Sequence, residues 1–238
     1  MPSHQLKDRI ALVTGASRGI GAAVAKRFAA EGAHVILLGR TVGALEEVDD
    51  AVRAAGGSSS IIPLDLRDFG KIDALAAELY KRYGKLDVLV GNAAVLGDLT
   101  PITHASDAMW QQVMDVNVTA NFRLIRAMHP LLSLSNAGRA IFVTSGVTER
   151  STPKAFWGAY SVSKTALEEL VLTYAAECAS SSVRVNLIDP GVVRTGMRAK
   201  AMPGEDPMSI LEPESITDTF LKLSVSGCLL HGQRVNCS

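Results

Sequence analysis

Short runs that are apolar nearly from end to end alternate along this chain with longer stretches of helical periodicity, and no other feature constrains the fold as much. The runs are Ile10–Thr14, His34–Leu38, Ser60–Leu64, Leu86–Asn92, Arg139–Thr144, Arg184–Ile188 and the more polar Gln233–Asn236. A strand with one face in water alternates polar and apolar residues, whereas a strand covered on both faces reads as a continuous apolar run. Helical patterns fill the intervals, at Ile20–Glu31, Val42–Ala55, Phe69–Tyr83, Ala105–Leu132, Gly158–Ser180 and Glu212–Leu223. Repeated strand–helix–strand order predicts an α/β fold, a doubly wound parallel sheet of about seven strands with right-handed crossovers and helices on both faces. No Pro/Gly/Ser linker divides the chain, so residues 1–238 are expected to form a single domain. A chain of this length buries about 70% of its unfolded surface and needs no disulfide to hold a core.

Two segments break the rhythm. Gly56–Ser60 reads as a polar turn before the third strand. Arg194–Glu214 carries Pro203, Gly204, Pro207 and Pro213 among Met197, Met202, Met208, Ile210 and Leu211. An apolar, proline-broken excursion after a strand end is a candidate substrate lid.

Basic and acidic residues balance at 24 each, which argues against a broad nucleic-acid footprint and against a polybasic membrane anchor. Cys178, Cys228 and Cys237 form no CxxC pair and have no histidine at ligand spacing, so neither a metal site nor a disulfide framework is expected. Met1–Lys7 lacks the apolar run of a signal peptide, and no stretch reaches the roughly 18 apolar residues of a membrane span. A soluble cytoplasmic protein is the expectation.

The first strand runs directly into Thr14-Gly15-Ala16-Ser17-Arg18-Gly19-Ile20-Gly21 and then a helix. Backbone N–H groups and the positive end of a helix dipole meet an anion at such a junction. Glycines permit the sharp turn and close approach to a phosphate. The spacing is GxxxGxG rather than GxGxxG, and its place between strand and helix favours dinucleotide binding over a merely structural turn. An acidic residue at the end of the second strand would bond the 2′-hydroxyl of NAD. Here that place holds Gly39-Arg40-Thr41, with no Asp or Glu between Gly32 and Leu45. Arg40 and Arg18 suit a 2′-phosphate through charge-assisted hydrogen bonds, which selects NADP.

Tyr160-Ser161-Val162-Ser163-Lys164 opens a long helix, and positions i and i+4 share a face. A free tyrosine, with a pKa near 10, is a reluctant base, and a neighbouring cation favours its phenolate. Ser145 ends the fifth strand, where a parallel sheet presents its ligand crevice. Together with Asn117 in Asp115-Val116-Asn117-Val118 and with Pro190-Gly191 after the sixth strand, these motifs resemble the short-chain dehydrogenase/reductase family over nearly the whole chain.

The resemblance implies a Rossmann fold and an NADP-dependent alcohol–carbonyl oxidoreductase. Tyr160 would exchange the proton with the substrate oxygen, Lys164 would lower its pKa and hold the nicotinamide ribose, Ser145 would bond the substrate oxygen, and Asn117 would position a water leading from Lys164 to solvent. Asp65 would contact adenine and Thr195 would orient the carboxamide. With Gly15, Ser17, Arg18, Gly19, Ile20, Gly21, Arg40, Leu66, Asn92, Ala93, Pro190, Gly191 and Val193 they make the expected cofactor-binding set. Phe156-Trp157-Gly158-Ala159-Tyr160 and Arg194–Ala199 are similar to a branch of uncharacterised bacterial oxidoreductases of the family, which names no substrate.

Two departures stand out. Gly91-Asn92-Ala93-Ala94 replaces the family's Asn-Asn-Ala-Gly, and the chain ends soon after the seventh strand. The rival readings are a non-catalytic NADP-binding regulator, and a lyase, epimerase or dehydratase using the same Tyr/Lys pair. The family commonly pairs helices across a two-fold axis, so a homodimer or homotetramer through Ala105–Leu132 and Gly158–Ser180 is expected. The expected partner is a small-molecule carbonyl or alcohol, with no nucleic acid and no membrane.

Overall fold

The computed structural model describes residues 4–149, 151 and 153–237. Seven strands are hydrogen-bonded in one sheet: β1 Ile10–Thr14, β2 His34–Gly39, β3 Ser58–Pro63, β4 Val88–Gly91, β5 Arg139–Val143, β6 Arg184–Asp189 and β7 Gln233–Asn236. Their order is β3-β2-β1-β4-β5-β6-β7 and every pairing is parallel. The helices are α1 Gly19–Ala30, α2 Val42–Ala54, α3 Phe69–Tyr83, α4 Asp107–Met114, α5 Ala120–Ser133, α6 Gly158–Glu177, α7 Gly196–Ala201 and α8 Thr217–Ser224.

The sheet buries both faces because successive strand residues point to opposite sides. Leu12, Ile36, Leu38 and Phe142 join Ile72, Leu124, Met128, Leu167 and Val171 of α3, α5 and α6 in one cluster. Val13, Val35, Leu37 and Ile141 join Val24, Phe28, Leu45, Val48 and Phe220 of α1, α2 and α8 in the other. Full burial of each large apolar side chain is favourable by about 1.5–3 kcal/mol, so both helical layers contribute to holding the sheet between them. Local signals set the helix ends: Asp68 caps α3 by accepting from the Lys71 N–H, and Gly84 ends it at φ +74°.

Several expectations are corrected. The predicted helix Ala105–Leu132 is α4 and α5 joined by a π turn, Asp115–Thr119, with a short 3-10 turn at Ile102–His104 before it. Helical periodicity does not register a single widened turn, since it shifts the face only once. The predicted polar turn Gly56–Ser60 is already β3 from Ser58 on, and its serines are polar because they meet side chains. Ser58 and Ser60 bond His34, and Ser59 donates to Asp49. The predicted helix Glu212–Leu223 is a 3-10 turn, Pro213–Ile216, followed by α8.

Arg139, the first residue of β5, is 3% exposed. Its guanidinium donates to the carbonyls of Val225, Ser226 and Cys228 at 3.2, 2.6 and 3.0 Å, tying the exit of α8 to the base of the sheet. All three cysteines are free thiols. Among the described residues no helix is long and apolar enough to cross a membrane.

Candidate active site

The strand order reverses between β1 and β4, and in an open parallel sheet the crevice at that point takes the ligand. Thr14 closes its floor. Its hydroxyl donates to the Val90 carbonyl at 3.2 Å and accepts the Asn92 and Ala93 N–H groups at 3.0 Å each. The Asn92 amide returns a bond to the Thr14 carbonyl at 2.8 Å. Gly15 and Gly19 have φ of +64° and +55°, and a Cβ on Gly21 would stand 2.2 Å from the Gly15 carbonyl oxygen. The Arg18 side chain makes no capping bond and the first turn of α1 carries no acid, which leaves that helix end to an anion.

A cavity of about 700 Å³ follows the C-terminal ends of the strands. Gly15, Ser17, Arg18, Gly19, Ile20, Arg40, Asp65, Leu66, Asn92, Ala93, Ser145, Tyr160, Lys164, Pro190, Gly191, Val193 and Thr195 all line it. The fold thus gathers every predicted site residue on its wall except Gly21 and Asn117, which are buried. Sequence reasoning did not assign Gln112, Val116, Leu96, Arg198 and Lys200 to the wall, where the structure places them.

Arg18 and Arg40 are exposed at the cavity's β1–β2 end. Asp65, expected to contact adenine, is paired with Arg67 through its carboxylate at 2.8 Å. That hydrogen bond, with Arg40 adding to it, holds its carboxyl below the usual carboxylate range.

At the other end Tyr160 and Lys164 lie on the inner face of α6. Tyr160 is 7% exposed and Lys164 2%. The lysine Nζ sits 5.9 Å from the centre of the tyrosine ring and donates to the Val143 carbonyl at 2.7 Å. Burial pushes the Lys164 ammonium down to about 8, against the pull of Glu168. Burial also pushes the Tyr160 phenol up to about 12, with Ser145 opposing through a hydrogen bond and Asp189 adding to the rise. A neighbouring ammonium favours phenolate, and at this phenol desolvation outweighs it.

Ser145 sits between β5 and the 3-10 turn Gly146–Thr148, its Oγ accepting the Val147 N–H at 3.4 Å. Asn117 lies in the π turn. Its side chain accepts the Val95 N–H at 2.8 Å and donates to the Val95 carbonyl and Ser163 at 2.9 Å each. Asn121 donates to its backbone carbonyl at 2.9 Å. The side chain therefore binds the β4–α4 loop to α6, with both of its N–H donors engaged. Gly91, the departure after β4, also has a reason: a Cβ there would stand 2.3 Å from the Phe142 ring.

The wall beyond Tyr160 is apolar. Leu96, Val147, Tyr160 and Ala201 are buried together, with Trp157, Met197 and Met202 packed against them. The segment after β6 is held over it by polar ties. Arg198 makes a forked pair with Glu205 at 2.6 Å, Arg194 pairs with Glu212, and Lys200 donates to the Gly97 carbonyl at 2.9 Å. Among the described residues no group of three or more His, Cys, Asp or Glu could hold a metal ion.

Comparison with known proteins gives the same reading. The short chain dehydrogenase family matches residues 9–206. The uncharacterised oxidoreductase YciK of Escherichia coli K12 is 41% identical over 221 residues, covering 92% of this chain and 86% of its own. A crystal structure of a short chain dehydrogenase from Salmonella enterica serovar Typhi CT18 superposes with a TM-score of 0.95 at 37% identity, covering 99% of this chain and 98% of that one. A structure of the same description from Escherichia coli CFT073, solved with NADPH, has a TM-score of 0.94 at 38% identity and covers 100% of both chains. By sequence, sheet order and site alike, this chain belongs to the short chain dehydrogenase family.

Proposed function

We propose that this protein is an NADP(H)-dependent oxidoreductase that interconverts an alcohol and a carbonyl, with Tyr160 as proton donor and acceptor. The observation that carries this reading is one cavity with two chemically distinct ends. Arg18 and Arg40 stand at the β1–β2 end, and Ser145, Tyr160 and Lys164 at the β5 end. From β2 to β5 is three strand spacings, about 14 Å, a span suited to an extended dinucleotide. The glycine cradle at Gly15 and Gly21 admits backbone where a Cβ would collide, which fits a pyrophosphate. The related structure solved with NADPH supports the choice of cofactor.

NADPH bound in this cavity supplies the hydride. Ser145 would hydrogen-bond the substrate oxygen. Tyr160 holds the proton: with its phenol raised to about 12, it is protonated at neutral pH and suited to donate to a carbonyl. Lys164 would hold the nicotinamide ribose. The apolar wall of Leu96, Trp157, Met197 and Ala201 suits a substrate with an uncharged apolar flank, and 194–214 serves as its lid. The chain acts as one domain and assembles as a homodimer or homotetramer, in the cytoplasm.

Purified protein should oxidise NADPH with at least one member of a panel of aromatic and aliphatic ketones, aldehydes and quinones. Tyr160→Phe should lower kcat more than tenfold while NADPH affinity, followed by its fluorescence, stays within about threefold. A Tyr160→Phe variant that keeps more than a tenth of kcat would refute the role of the phenol. NADPH binding without turnover of any carbonyl would favour a regulator.

A further inference from the structure

Two carboxylates lie around Ser145, one bonded to Thr144 and Thr148 and one beside Gly146, and neither belongs to the cofactor cradle. Asp189 ends β6 immediately before Pro190 and Gly191, and Glu168 lies on α6 one turn beyond Lys164. Their side chains are 9% and 18% exposed. Buried carboxylates need partners, and these have specific ones. Glu168 Oε1 accepts the Thr144 hydroxyl at 2.6 Å and lies 2.9 Å from the Thr148 hydroxyl; these residues bracket Ser145. Asp189 Oδ1 accepts the Gly191 N–H at 3.1 Å. A Cβ on Gly146 would stand 3.6 Å from Asp189 Oδ2, which puts that carboxylate beside the residue after Ser145.

Both converge on Arg234, from the last strand. Its Nη2 donates to Asp189 Oδ2 at 2.7 Å, its Nε is 3.5 Å from Glu168 Oε1, and Glu149 approaches at 3.9 Å. We propose that Arg234 is a positioning residue for proton transfer: it ties the ends of β5 and β6 together through Glu168 and Asp189 and cancels their charge beside Tyr160. The proposal rests on Tyr160 as the proton donor. A guanidinium with two free edges can serve both carboxylates at once, which one ammonium point charge does less well.

Lys164 of α6 stands 5.9 Å from the centre of the Tyr160 ring, and Asp189 of β6 acts on its phenol. Glu168, Glu149 and Arg234 reach it through these two, and Lys154 lies over the Trp157 ring that meets Tyr160. The lid side presents apolar Met197 and Ala201, with Arg198 paired to Glu205 and Lys200 bonded to the Gly97 carbonyl on the same cavity wall. Removing Arg234 leaves Asp189 uncompensated and disfavours phenolate, so the phenol must titrate higher. Removing the Asp189 charge must do the opposite.

The test uses NADP⁺-saturated protein, because a cationic nicotinamide in the cavity would favour phenolate and draw the midpoint below about 12 into a measurable range. The readout is the ultraviolet difference absorbance of tyrosinate between about pH 6 and 11, with the matching Tyr160→Phe protein subtracted to isolate one phenol. Arg234→Met should raise the midpoint by about 0.5–1 pH unit, and Asp189→Asn should lower it by a similar amount. Arg234→Lys should hold the midpoint near that of the unchanged protein. Opposite signs cannot come from general damage to the fold. An Arg234→Met midpoint equal to that of the unchanged protein overturns the proposal, whether or not turnover falls. Should Arg234→Met fail to fold, Asp189→Asn decides, and no downward movement refutes the idea. A phenol protonated to the end of the range in both the unchanged protein and Asp189→Asn refutes it too. If Tyr160→Phe proves fully active, the reading of Tyr160 fails, while the titration still reports whether Arg234 governs that phenol.

Discussion

Lys164 is a buried base, and the fold opposes its charge. In the unfolded chain it holds its proton to about 10.4. In the folded protein its ordinary value of 10.5 falls to about 8, because burial outweighs Glu168. Between these pH values the unfolded chain binds more protons than the folded one, so this residue makes stability rise with pH from about 8 to 10.5. Below that window its desolvation is a standing cost of roughly 3 kcal/mol. Lys164→Met removes the cost and loses one hydrogen bond to the Val143 carbonyl, worth about 1 kcal/mol. The variant is expected to be about 1–2 kcal/mol more stable than the parent at pH 7, melting roughly 3–6 °C higher, with the gap closing by pH 10. Calorimetry at both pH values checks this, and a variant less stable by the same margin at each would contradict it. A charge retained at such a cost is consistent with a role in function rather than in folding.

At the scale of elements, the proposed preference for NADP draws on two of them, the loop between β1 and α1 and the end of β2. Neither is sufficient alone: Arg18 sits in the loop and Arg40 beyond β2, and the β1–β2 register, Ile10 beside His34 to Thr14 beside Leu38, brings both to one end of the cavity. Each hydrogen bond to a charged group contributes about 1.5–3 kcal/mol, less where solvent screens it. The double variant Arg18→Ala/Arg40→Ala should therefore lose NADPH affinity by about 100-fold and leave NADH affinity nearly unchanged. Fluorescence titration with both nucleotides measures this. Equal losses for the two would mean that the arginines do not read a 2′-phosphate.

For the whole molecule, α6 is the element with most to explain. Its inward face carries Tyr160, Lys164, Leu167, Val171 and Tyr174, all buried. Its outward face carries Val162, Thr165, Glu169, Leu172, Thr173 and Ala176, all exposed and mostly uncharged. Phe122 of α5 and Trp110 of α4 are exposed as well, at 44% and 38%. A helix apolar on both sides favours burial on both sides. Sedimentation at micromolar concentration should show a dimer or tetramer, and the Val162→Glu/Leu172→Glu variant should shift it towards monomer. Parent protein that sediments only as monomer would exclude the proposed assembly.

The sequence by itself determined that about seven strands alternate with helices in a parallel sheet, and it marked the glycine motif and the Tyr–Lys spacing, because each is a local pattern; the strand order came from the tertiary structure. Short apolar runs bounded by turns favour strands covered on both faces, and i, i+4 spacing within a helix puts two side chains on one face. Where local pattern is silent, tertiary structure decided. The π turn at Asp115–Thr119 places Asn117 against Val95 and Ser163, and no periodicity marks it. The phenol of Tyr160 rises rather than falls, since burial is a property of the packed protein and not of its neighbours in sequence. Arg234 reads in the sequence as an ordinary charge on a short last strand. It becomes the partner of Asp189, 45 residues earlier, only when β6 and β7 pair and bring the buried Asp189 and the half-buried Glu168 to one guanidinium. Pairings of that kind depend on long-range register, which one strand's composition does not encode.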